Sequence, residues 1–186
     1  INNRVRGYIA VHADLRAFLQ EALQQAPNFA FTLRSEWLAK ITDLRQSWPD
    51  TAEQNGIPGI NPNEFMHRLS TVSQPASAFV VDVGQHQMWS AQSLELTKKQ
   101  RFLTSGGMGS MGVALPAAIG TAMATPGSPV VVIAGDGGFQ VNIQELQTVV
   151  RNKLPLKMVI LNNQCHGMVR QFQQSYFDER YQSTYW

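Results

Sequence analysis

The chain has 186 residues, 44% hydrophobic and 15% charged, with a formal net charge of +2. That length allows one compact domain with a piece of another, and the composition excludes a disordered chain. The weak charge, with no basic run interleaved with aromatics, argues against a nucleic-acid or anionic-membrane partner.

A single cysteine, Cys165, rules out an internal disulfide and points to a reducing compartment, taken as the cytoplasm. No stretch reaches the roughly 18 apolar residues of a membrane span. The opening Ile1-Asn-Asn-Arg has no methionine and no signal-peptide core, and reads as cut from something longer. A short strand is predicted over 8–11, then an amphipathic helix opened by Asp14. Its apolar face is Leu15, Phe18, Leu19, Ala22 and Leu23, at helical spacing. A second helix is predicted over 34–48. The loop 49–62, with Gly56-Ile-Pro-Gly59 inside it, reads as a domain boundary.

From Asn63 onward helices alternate with apolar strands. A helix over 63–72 leads to a strand over 79–83, a helix over 113–125 to a strand over 130–134, and a helix over 142–151 to a strand over 157–161. A last helix starts near Gly167. Apolar strands separated by helices predict an α/β fold, a doubly wound parallel sheet with helices on both faces. Ligands of such sheets sit beyond the carboxyl ends of the strands. Three of those ends are polar here: Asp82-Val-Gly-Gln-His86, Gly135-Asp-Gly-Gly138 and Asn162-Asn163.

Asp136 and Asn163 each follow an apolar strand, 27 positions apart with one helix between them. Their strands should be parallel neighbours, so the two side chains should be close. A carboxylate and an amide oxygen suit Mg²⁺, which completes its shell with phosphate oxygens and water. Gly135, Gly137 and Gly138 let the backbone approach a bulky anion, and a helix from about Asn142 would offer free N–H groups. Taken singly, Gly-Asp-Gly is a turn and Asn-Asn a helix cap.

Together these residues resemble the thiamine-diphosphate signature. Three further segments, VGQHQMW (83–89), TSGGMGSMGVALPAAIGTAMA (104–124) and NNQCHGMVRQFQQSYFDERY (162–181), resemble the C-terminal cofactor domain of acetolactate (acetohydroxyacid) synthases and related carboligases. The resemblance implies that Asp136 and Asn163 hold Mg²⁺, with the backbone carbonyl of Cys165 as third ligand. It implies that Gln85 and His86 hydrogen-bond the diphosphate of thiamine diphosphate, and that Gly137, Gly138, Gly167 and Met168 present backbone N–H groups to it. Gly109 and Met111 would line the aminopyrimidine, Met111 propping the cofactor in its bent shape. Phe172 falls in the substrate channel, where many of these synthases carry tryptophan. Cys165 and His166 stand where histidine and a leucine-like residue are common, and the ending SYFDERYQSTYW looks closer to carboligases of branched-sugar pathways.

The resemblance also implies a division into 1–26, the tail of a central domain; 27–62, a linker with one helix; and 63–186, a thiamine-diphosphate domain truncated at its C-terminal end. It implies no catalytic residue within the chain, because the activating glutamate belongs to a pyrimidine-binding domain from a second subunit of a homodimer or homotetramer. Alone, the chain should be inactive. FAD is allowed in the parent enzyme but not on this chain. The expected reaction decarboxylates pyruvate and transfers the two-carbon unit to a 2-oxo acid, as in branched-chain amino acid biosynthesis. The alternatives are a decarboxylase, lyase or carboligase with an aldehyde or keto-sugar acceptor, and a non-catalytic interaction domain.

Overall fold

A computed structural model describes residues 9–30 and 32–185. These fall into two compact units, divided between Ser47 and Trp48. In the first unit, α1 (Leu15–Gln25) is capped by Asp14, whose Oδ1 accepts from the N–H groups of Arg16 and Ala17 at 3.0 and 3.2 Å. That is the expected use of a short acidic side chain at a helix start. The predicted apolar face is there, but Leu15, Phe18, Leu19 and Leu23 are exposed. α2 (Ser35–Ser47) follows. The predicted strand at 8–11 is not found over 9–11, and residue 8 lies outside the described residues.

The second unit is a four-stranded parallel sheet in the order β2-β1-β3-β4, with β1 Ala78–Val81, β2 Arg101–Thr104, β3 Val130–Gly135 and β4 Leu156–Leu161. Its helices are α3 (Pro62–Val72), α4 (Gln85–Ser93), α5 (Ala114–Ala124), α6 (Asp136–Val141), α7 (Leu146–Arg151) and α8 (Gly167–Tyr176). Side chains of a strand alternate between faces, and both faces are covered. Ala78, Val80, Val130 and Val132 pack on Ala114, Ala118 and Ala122 of α5. Phe79, Val81, Val131 and Ile133 pack on Met66 of α3, with Trp89 of α4 beside them. Burial on both faces explains why β1 and β3 are continuous apolar runs.

One further expectation is corrected, and two elements were not foreseen. The helix after β3 starts at Asp136, not near Asn142, and is interrupted at Asn142 before α7. Glycines at 137 and 138 are poor helix formers, so propensity hides this turn. α4 was not predicted, because its buried side chains are the polar His86, Ser90 and Ser93. β2 was not predicted either: it is a four-residue edge strand, largely unburied, after a basic stretch.

α3 and α4 are tied to the preceding loop through Asp50. Its carboxylate accepts from the Ser93 hydroxyl and lies 3.0 Å from Nε2 of His67. Burial pushes the Asp50 carboxyl up, but the hydrogen bonds from Ser93 and His67 and the His67 charge outweigh it and hold the group below its ordinary value of 3.8. A carboxyl depressed by folding stabilises above its unfolded pKa, and that contribution fades as pH falls through the folded value. Below about pH 5, urea midpoints should therefore show a gap between the wild type and Asp50→Asn that closes as the pH falls. A gap that widens on acidification would contradict the assignment.

Candidate functional site

The sheet order places the cleft. From β1 the chain moves outward to β2, then crosses back to β3 on the other side of β1. The loops leaving β1 and β3 thus diverge, opening a crevice at their carboxyl ends, where ligands of open α/β sheets bind. A cleft of about 780 Å³ lies there, within the size range of small-molecule sites. Its lining includes Gln85 and His86 after β1, Asp136, Gly137 and Gly138 after β3, and Asn163, Cys165, Gly167 and Met168 after β4, with Gly109 and Met111 from the loop before α5.

Register brings Asp136 and Asn163 to the same end of the sheet. Gly135 pairs with Leu161, so the two strands end side by side. Asn163 Oδ1 accepts the Cys165 N–H at 3.2 Å, and its Nδ2 donates to Gln85 Oε1 at 3.2 Å. Asp136 opens α6, with Oδ1 accepting the Gly137 N–H at 3.0 Å. Cys165 is buried and forms an antiparallel bridge with Tyr185, while the His166 N–H donates to Thr184 O at 2.8 Å. Among the described residues no three His, Cys, Asp or Glu side chains gather as a metal cluster.

His86 is 5% exposed, its ring packed against Gly84 and Gly135, and its Nε2 has no hydrogen-bond partner. A buried polar atom without a partner is costly unless something else satisfies it. Burial pushes the imidazole down from 6.5, against the charge and main-chain hydrogen bond of Asp82 and the charge of Asp136. The main-chain hydrogen bond of Asp82 takes the other ring nitrogen, so Nε2 is the atom left to meet a ligand.

Asp82 was quoted in the sequence only as a strand end, yet it organises one side of the cleft. It is 1% exposed, and its carboxylate accepts the N–H groups of Gly112 and Ala114 at 3.0 and 3.4 Å. Asn142 holds the same loop by donating to Gly112 O at 2.8 Å. The available signal was the one that singled out Asp136: an acidic residue directly after an apolar strand. Phe172 stands apart from the cleft lining. Its ring lies 4.8 Å from that of Tyr176 and 5.8 Å from that of Phe177 on the exposed side of α8.

Residues 82–186 match the family described as thiamine pyrophosphate enzyme, C-terminal TPP binding domain. The chain belongs to this family. The thiamine-pyrophosphate domain so identified contains the whole α4–α8 side of the cleft. The chain is 42% identical over 184 residues to the acetolactate synthase isozyme 2 large subunit of Escherichia coli (strain K12), covering 99% of this chain and 32% of that protein. It is 45% identical over 145 residues to the acetolactate synthase large subunit of Porphyra purpurea, covering 78% of this chain and 24% of that one. With the Lactococcus lactis large subunit it shares 39% over 176 residues, 95% and 30% of the two chains. The chain thus spans between about a quarter and a third of the length of these relatives. Among its described residues no helix is long and apolar enough to cross a membrane.

The thiamine-pyrophosphate domain fits its cofactor on its own geometry. His86 leaves a buried nitrogen unpartnered, and the backbone at Gly167 is cradled closely. A Cβ there would lie 2.2 Å from Gln85 Oε1 and 2.7 Å from Asn163 Nδ2. Gly167→Ala should therefore wedge apart Gln85 and Asn163. Because the Gln85 end can swing away, thermal stability should change by less than about 1 kcal/mol, while thiamine diphosphate affinity falls by about tenfold or more. Melting curves beside titration calorimetry test this; losses that track each other would contradict it.

Proposed function

We propose that this chain is the cofactor-binding part of an acetolactate-synthase-like carboligase, which decarboxylates pyruvate and transfers the two-carbon unit to a 2-oxo acid. The observation that supports the proposal is the pairing of β3 and β4, whose ends lead directly to Asp136 and Asn163, both of which line the cleft. In this reading Asp136, Asn163 and the Cys165 carbonyl hold Mg²⁺, a hard cation that takes few protein oxygens and shares phosphate oxygens. Gln85 and His86 donate to the diphosphate. The main-chain N–H groups of Gly137, Gly138, Gly167 and Met168 face the same anion, with the positive end of α8 behind two of them. Gly109 and Met111 border the aminopyrimidine, and Phe172, outside the cleft lining on the exposed side of α8, is assigned to the outer part of the substrate channel.

Thiamine diphosphate, when bound, supplies a carbon nucleophile and an electron sink for the decarboxylation of a 2-oxo acid. The chain's own residues bind and orient it, with His86 Nε2 as the buried polar atom that the diphosphate would satisfy. The relatives' names support the synthase over other thiamine-dependent reactions. The reading includes a second subunit that supplies the pyrimidine-binding domain and its activating glutamate, in a cytoplasmic dimer or tetramer. The test is mass-spectrometric product analysis of the enzyme carrying this chain, incubated with pyruvate, Mg²⁺ and thiamine diphosphate. Acetolactate is the expected product. Acetaldehyde alone, or a product formed only with an added aldehyde or keto-sugar, would overturn the proposal.

A further inference from the structure

One wall of the cleft comes from upstream of the matched residues 82–186. Gln54 and Ile60 line it, both on the loop between Trp48 and α3. Ile60 is 83% exposed, an apolar side chain held open at the cleft. The loop contains Gly56 and Gly59 at φ of 77° and 121°, and a segment with such freedom wanders unless it is pinned.

It is pinned at both ends. At the downstream end, Asn61 Oδ1 accepts the N–H groups of Asn63 and Glu64 at 3.0 and 3.3 Å, capping α3, while its Nδ2 donates to Thr51 O at 3.0 Å. At the upstream end, Asp50 accepts from the Ser93 hydroxyl, and its two oxygens lie 3.2 and 3.0 Å from His67 Nε2. Ser93 is 1% exposed and accepts from Asn63 Nδ2 at 2.7 Å. His67 Nδ1 lies 3.3 Å from Glu95 Oε1. One carboxylate thus joins the loop to α3 and to the last residue of α4, the helix whose first residues are Gln85 and His86.

We propose that Asp50 is a positioning residue for the cleft: it holds loop 49–61 as a wall bearing Gln54 and Ile60, and ties that wall to the helix that presents Gln85 and His86. The inference rests on the proposed function only for what occupies the cleft. Charge-assisted hydrogen bonds are the stronger kind, and here they fix the start of the loop.

The test is hydrogen exchange of the full protein, followed with and without thiamine diphosphate and Mg²⁺. In Asp50→Ala the amides of 51–61 should exchange about tenfold faster, the size expected for losing one hydrogen bond to a charged group. Amides of β1 and β3 should be unchanged. Ser93→Ala should show the same pattern more weakly, and Glu95→Gln, which touches only the far side of His67, should not. The Kd for thiamine diphosphate should rise in Asp50→Ala and return toward the wild-type value in Asp50→Glu. Unchanged exchange over 51–61 in both Asp50→Ala and Ser93→Ala, or faster loop exchange with an unaltered Kd, would overturn the inference. A wild type that takes up no thiamine diphosphate would instead sink the proposed function, and the exchange pattern would still decide whether Asp50 anchors the loop.

Discussion

Asp136→Ala is expected to abolish Mg²⁺-dependent uptake of thiamine diphosphate while leaving the fold in place. Asp136 is half-buried at the end of β3, and its described hydrogen bond is a local one to the Gly137 N–H. It is not part of the apolar layers on either face of the sheet, so its loss should move the melting temperature little. Its oxygen is the one anionic donor in the set proposed for the metal. Removing even residues that only orient metal ligands weakens metal binding by about 10- to 100-fold, so loss of this donor should exceed about 100-fold. Asp136→Asn keeps the shape and an oxygen but not the charge, and should fall between the two. Titration calorimetry with and without Mg²⁺ measures this; an Asp136→Ala protein that binds as the wild type does would contradict it.

Asp82→Ala should act in the opposite way, on stability first. Its carboxylate is fully enclosed and holds the Gly112 and Ala114 N–H groups at the start of α5. Deleting it leaves those donors buried without partners and opens a void, which should destabilise by about 2–4 kcal/mol. The same carboxylate explains Gly138: a Cβ there would lie 2.0 Å from Asp82 Oδ2. Unlike the Gln85 end beside Gly167, this oxygen is fixed by its hydrogen bonds. Gly138→Ala should therefore destabilise strongly, whereas adding it to Asp82→Ala should have a smaller effect, since the clash is gone. Urea denaturation of the two single variants and the double variant tests this. Strict additivity would show that the two residues do not share a contact.

Much of this was readable from residue order because the same physics that buries a parallel strand on both faces writes it as an apolar run. β1, β3 and β4 were placed to within a residue or two, and the polar residues after each were identified as the edge of a site. The spacing of Asp136 and Asn163 implied neighbouring strand ends, and their strands do pair. What periodicity missed had no periodicity to show. α4 buries serines and a histidine, β2 is a short edge, and α6 is built on glycines that seldom sit in helices. The role of Asp82 depends on a loop 30 residues away folding back onto it, a contact that no local pattern encodes. The contribution of Asp50, Gln54 and Ile60 was hidden in the same way, since Asp50 meets Ser93, 43 residues further along the chain.

The most direct measurement is a crystal structure of the protein with thiamine diphosphate and Mn²⁺ in place of Mg²⁺, the ion located by its anomalous scattering. The account predicts one metal peak within about 2.2 Å of both the Asp136 carboxylate and Asn163 Oδ1, with diphosphate oxygens completing the shell and His86 Nε2 against the diphosphate. A cofactor seated elsewhere, or a metal that touches neither side chain, would contradict it.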